Sequence, residues 1–151
     1  MKFKFSLEKV LNHRQLKLDL ARKDYNEVQE FYRNETEILE NYKKEEVLAQ
    51  TKMNQNVNSL SNWQNENAYL NDFIKLNKIR MQKQTERLAK IEKLVEQRLE
   101  ILKEALKDVK ILEELKQKKK SDFIKNVQYK EQLELDELSV LRFKNEDRVD
   151  E

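Results

Sequence analysis

Residues 54–77, NQNVNSLSNWQNENAYLNDFIKLN, hold eight of the chain's fourteen asparagines, at positions 54, 56, 58, 62, 65, 67, 71 and 77. Asparagine tolerates the left-handed backbone region and its amide competes for main-chain hydrogen bonds, so a dense run of it favours a change of direction. The stretch gains weight from what the rest of the sequence lacks. Its 151 residues include no glycine and no proline, where an average chain of this length carries roughly ten of the first and seven or eight of the second. Without them tight turns are hard to build, and this stretch is the best reversal zone available. Ser61 followed by Gln64 has the spacing of a capping box, which predicts a short helix starting near Asn62 inside the reversal.

Upstream of the asparagines, Leu11, Leu18, Tyr25, Tyr32, Leu39 and Met53 recur on a seven-residue step, with Leu7, Ala21, Val28, Tyr42 and Ala49 at the alternate position. Arg14, Glu35 and Glu46 interrupt this seam. Downstream, Ile74, Met81, Leu88, Val95, Leu102 and Val109 keep the same step, with Leu70, Ile91, Ala105 and Leu112 between them and Gln84 and Arg98 as polar defects. Heptads on both sides of a reversal specify two helices packed along one apolar seam. From Leu112 to Phe123 the step is eleven residues, a stutter that locally unwinds a supercoil, before Val127, Leu135, Leu138 and Leu141 continue an apolar face. At the other end Ser6 is placed to cap the first helix, with Phe5 and Val10 at the positions of a hydrophobic staple.

The fold expected is therefore all-α: an elongated antiparallel two-helix coiled-coil hairpin, with a short helix at the reversal, forming one domain over residues 1–151. The first helix covers about 6–57, the reversal zone about 54–77 and the second helix about 74–144, with a flexible acidic tail over about 145–151. Two registers compete. Reversal at Ser59 to Ser61 sets Leu11 beside Val109 and Leu18 beside Leu102, leaving an overhang after about residue 113. Reversal nearer Tyr69 to Asn77 brings residues 1–23, with seven basic and two acidic side chains, alongside residues 131–151, with eight acidic and three basic. Charge complementarity favours the second.

Composition excludes several function classes. Charged residues make up 40% of the chain, 31 basic against 29 acidic; mixed signs and regular apolar spacing argue for helices over disorder, and a near-neutral balance argues against nucleic acid. A two-helix pair encloses no pocket for a small-molecule substrate or cofactor. A phosphate-binding loop or nucleophile elbow requires glycine. His13 is the only histidine and there is no cysteine, so no metal site and no catalytic residue is expected. No window reaches the ~18 apolar residues of a membrane span, and the opening MKFKFSLEKV is not a secretory signal; a cytoplasmic protein without membrane insertion is expected. Lys116, Lys118, Lys119 and Lys120 form one basic cluster, read first as a solvated face. Trp63, Tyr69 and Phe73 lie near the bend and make a candidate recognition tip, whereas Tyr25, Tyr32 and Tyr42 read as seam packing.

The opening Phe3-Lys-Phe-Ser-Leu7-Glu-Lys-Val10-Leu11-Asn-His-Arg14 and the closing Tyr129-Lys-Glu131-Gln-Leu-Glu-Leu135-Asp136-Glu137-Leu138, with Arg142-Phe143 just after, resemble the two terminal signatures of the FliJ family, the soluble coiled-coil component of the flagellar type III export apparatus. The resemblance implies a coiled coil like the central stalk of rotary ATPases, non-enzymatic and peripherally associated with the membrane. Its paired termini would sit in the hexameric export ATPase and its body would reach the export gate membrane protein, and some members handle export chaperones. Carried onto this chain, the ATPase end comprises Leu7, Val10, Leu11 and Arg14 with Glu131, Asp136, Glu137, Arg142 and Phe143. The gate side falls to the half nearer the bend, where Trp63, Tyr69 and Phe73 are the candidate tip. A structural homodimer, two extended helices associating in parallel as a scaffold or spacer, is the alternative that heptads alone leave open.

Overall fold

A computed structural model of the chain describes residues 2–57 and 63–149. Two helices, α1 (Glu8–Val57) and α2 (Trp63–Val149), pack against each other as an all-α hairpin. Among the described residues there is no strand and no positive φ. The link between the helices lies outside the described residues, and the Ser61 cap falls there.

The helices claim more of the sequence than expected. α2 runs unbroken from Trp63, so residues 63–77 are its first turns and not a separate short helix in a wide reversal. Six of the eight asparagines are helical. Helix propensity disfavours asparagine by only about 0.5 kcal/mol per residue, and the pairing helix offers compensation: Asn56 Nδ2 donates to Asn67 Oδ1 at 3.3 Å, beside an ion pair of Lys52 Nζ with Glu66 Oε1 at 3.0 Å. At the far end the helix continues through Val149, so residues 145–149 are helical, beyond the expected end of the second helix near residue 144. At the start, the first intrahelical bond runs from Leu11 N to the Leu7 carbonyl at 2.9 Å. The cap position thus belongs to Leu7, one residue beyond the expected Ser6.

Two compact units share these helices. The first, Asp19–Glu104, buries Ala21, Ala49, Ile74, Leu88 and Ile91 in its seam, with Tyr25, Tyr32 and Tyr42 half-buried along it. Polar layers interrupt it. Asn77 is wholly buried and its Nδ2 donates to the Tyr42 carbonyl at 2.7 Å. Seven residues on, Gln84 Nε2 donates to the Glu35 carbonyl at 2.8 Å and to Glu35 Oε2 at 2.7 Å. Arg87 completes that layer, its Nε 3.2 Å from Glu35 Oε2, its Nη2 donating to Oε1 at 3.3 Å, and its guanidinium 5.8 Å over the Phe31 ring.

The second unit joins Met1–Leu18 to Ala105–Glu151. Its core is Phe5, Leu11, Leu18 and Val109. Arg14 Nη1 meets Asp108 Oδ2 at 2.6 Å, Lys116 Nζ meets Glu8 Oε2 at 3.0 Å, and the rings of Phe3 and Phe123 lie 5.6 Å apart. These contacts decide the register. The basic N-terminal segment lies beside residues 108–123, not beside the acidic residues 131–151, which overturns the pairing that charge favoured. Each fully buried aliphatic side chain contributes about 1.5–3 kcal/mol, whereas an exposed ion pair contributes about 0–1 kcal/mol. Apolar register therefore outweighs net charge. The pairing also reaches Phe123, ten residues past the limit expected for this register, because residues before α1 stay against α2.

Candidate partner-binding surface

The N-terminal group of expected contact residues divides by burial. Leu7 and Val10 are exposed, at 37% and 40%, but Leu11 is only 3% exposed and packs in the core. Arg14 is held by Asp108. Leu11 and Arg14 thus fix α1 against α2, and Leu7 and Val10 are the pair left open to solvent. Gln15 Nε2 reaches Glu113 Oε1 at 3.5 Å, and a shallow groove bounded by Leu11, Gln15, Lys110, Glu113 and Gln117 runs between the helices here.

The C-terminal group stands elsewhere. Glu131, Asp136, Glu137, Arg142 and Phe143 all lie on α2 past Phe123, where every described residue from Gln128 onward is exposed. The two groups belong to one unit but are not brought together, since residues 108–123 take the place beside Leu7 to Arg14. Leu133, Leu135, Leu138, Val140 and Leu141 are 45–58% exposed on this stretch and Phe143 is 65% exposed. A shallow apolar depression is formed by Leu133, Asp136, Glu137, Val140 and Leu141. So long a run of open aliphatic side chains is a candidate interaction surface.

Near the bend, Tyr69 is 72% exposed and Phe73 half-buried; the Trp63 side chain falls outside the described residues. Of the basic cluster, Lys116 is committed to Glu8 through both carboxylate oxygens, at 3.2 and 3.0 Å, and Lys118 to Lys120 are exposed. His13 is exposed as well. Among the described residues no three of His, Cys, Asp or Glu are grouped to hold a metal ion, and no helix is long and apolar enough to cross a membrane. Sequence reading missed two structural polar residues: Asn77, counted among the bend asparagines although it follows Leu70 by a heptad, and Asp108, which neighbours the seam residue Val109.

A model of the flagellar FliJ protein family matches residues 3–148. The chain belongs to the FliJ family. Membership makes it a component of the flagellar export apparatus, in a family that is not enzymatic. No curated protein matches this FliJ-family chain, and no solved structure does.

Proposed function

We propose that the chain is a non-enzymatic stalk that engages and stimulates the hexameric flagellar export ATPase, links it to the cytoplasmic part of the membrane export gate, and handles export chaperones, working in the cytoplasm at the membrane apparatus. One observation carries the ATPase contact. Five of the nine residues assigned to it, Glu131, Asp136, Glu137, Arg142 and Phe143, are exposed on the unpaired end of α2, where a single helix of about 10–12 Å diameter offers apolar and charged groups on all sides. Leu7 and Val10 add an apolar edge, while Leu11 and Arg14 serve by holding α1 in place. Tyr69 and Phe73, with Trp63, are the candidate gate side. The scaffold alternative draws no support from the heptads, because a parallel dimer would need the seam that the hairpin fills from within.

The test adds the full chain to its cognate export ATPase and follows hydrolysis and ring formation. Both should rise at stoichiometric ratio, and Arg142→Glu should lower the stimulation several-fold with far-UV circular dichroism unchanged. Absence of any effect of the unaltered chain on hydrolysis and assembly overturns the reading.

A further inference from the structure

α2 has 87 residues against 50 in α1, and in the unit formed by the two ends of the chain α1 leaves the last part of α2 without a neighbour. Past Val127 every described side chain is exposed. In proteins most helical stability comes from packing of an apolar face against a neighbour, and this stretch carries aliphatic residues that no part of its own unit covers. A partner helix would both bury them and stabilise the helix.

The sequence of this stretch indicates which partner fits. Leu135, Leu138 and Leu141 are three residues apart, and at 3.6 residues per turn they span an arc of about 120° that also includes Val127 and Val149. Leu138 is the midpoint of this stripe. If a second copy lies antiparallel with its Leu138 at the same level, Leu135 comes level with Leu141 and Val127 with Val149. The polar positions of the stripe match equally: Glu134 is level with Arg142, and Glu131 with Asn145. Beyond the stripe the charge blocks agree. Residues 131–137 carry four acidic side chains and no basic one, whereas residues 139–145 carry Arg142 and Lys144 and no acidic one. Antiparallel pairing sets each block against its opposite, twice over.

A parallel pair does the reverse, placing the four acids of 131–137 against their own copies and Arg142 against Arg142. Like charges facing each other across two helices are destabilising. The antiparallel arrangement is also closed and isologous, with one two-fold axis through Leu138 and no surface left to propagate a fibre. We propose that this overhang binds a second copy of the chain, antiparallel and centred on Leu138, so that the protein free of other partners is a dimer joined end to end through α2. The inference does not rest on the stalk reading, but it uses the same face. A dimer hides Arg142 and its neighbours, so self-association and binding to the ATPase exclude one another, and the dimer is a reserve form.

The chain's lack of cysteine makes single-cysteine variants of the full protein a direct probe, since a disulfide needs Cα atoms within about 7 Å. Sedimentation over a concentration series should show a monomer–dimer equilibrium. Leu138→Cys should cross-link to itself, and a mixture of Glu131→Cys with Asn145→Cys should form the mixed disulfide in excess of either self-disulfide. Arg142→Glu should raise the dimer dissociation constant about tenfold, since two symmetry-related ion pairs are lost and repulsion replaces them. The exchange Glu134→Arg with Arg142→Glu should restore it. A monomer at every concentration overturns the proposal, as does self-cross-linking of Glu131→Cys in preference to the mixed product, or an unchanged constant for Arg142→Glu. All of these read mass, so a chain that dimerises yet leaves the ATPase unaffected refutes the stalk reading alone.

Discussion

The unit Asp19–Glu104 and the free end of α2 are built from similar residues with opposite outcomes. In the first, a leucine such as Leu88 is 9% exposed and sits one turn beyond Gln84, which reaches across to a backbone carbonyl; in the second, Leu138 is 56% exposed with nothing over it. Both stretches are charged, helical and heptad-like. What separates them is whether a second helix passes alongside, which is decided by the length of α1 and not by any local property of α2. Helix formation thus says little about where stability resides.

The same substitution at the two leucines measures that difference. Leu88→Ala should cost about 2–3 kcal/mol, the lower end of the range for buried leucines because a two-helix seam can partly close over the gap. Leu138→Ala, followed at dilution so that association does not contribute, should change stability by less than about 0.5 kcal/mol. Denaturant unfolding by circular dichroism reads both, and equal costs would abolish the distinction drawn between the regions.

A smaller effect of opposite sign is expected at Asn77. Its Nδ2 is bonded to the Tyr42 carbonyl, but its buried Oδ1 has no hydrogen-bond partner, and an unsatisfied acceptor costs about 1–3 kcal/mol. Asn77→Leu should therefore raise stability by about 1 kcal/mol while loosening register, because a leucine packs in neighbouring alignments as well as in this one. Cysteine pairs placed across the seam on α1 and α2 should then cross-link at more than one spacing. A destabilised variant with a single cross-linking register would show that Asn77 contributes through its bond and not as an alignment device.

The heptad positions were legible because periodicity is set by helix geometry alone. Leu11, Leu18, Ala21, Ala49, Ile74, Leu88, Ile91 and Val109 were all assigned to the seam and all are buried. The register was not legible from charge, since the sums over residues 1–23 and 131–151 ignore that the matched charges would be solvated while the apolar seam would be broken. Counting asparagines found the neighbourhood of the bend but overstated its width, because an amide at a helix surface is a weak opponent of continued helix. Of the contact residues, sequence signatures singled out Leu11 and Arg14 together with Leu7 and Val10. Periodicity put Leu11 in the seam, where it is buried, but put Leu7 there as well; only packing shows that Leu7 stays open and that Arg14, read as an interruption, turns to Asp108.

The smallest expected effect concerns that inward group. Arg14 and Asp108 are joined at 2.6 Å, yet their side chains remain 39% and 46% exposed, so water screens the pair and competes for both ends. A double-mutant cycle with Arg14→Ala and Asp108→Ala should yield a coupling of about 0.5 kcal/mol, within the range for solvent-accessible pairs. The comparable cycle at Arg87 and Glu35 should give more, about 1–2 kcal/mol, because the Glu35 side chain is only 11% exposed and is held at both oxygens. If the Arg14 cycle matched or exceeded the Arg87 cycle, the N-terminal seam would be anchored by its ion pair more than by Leu11 and Val109. Removing Asp108 would then free the start of α1 from α2, and charge, not apolar contact, would set the register at this end of the seam.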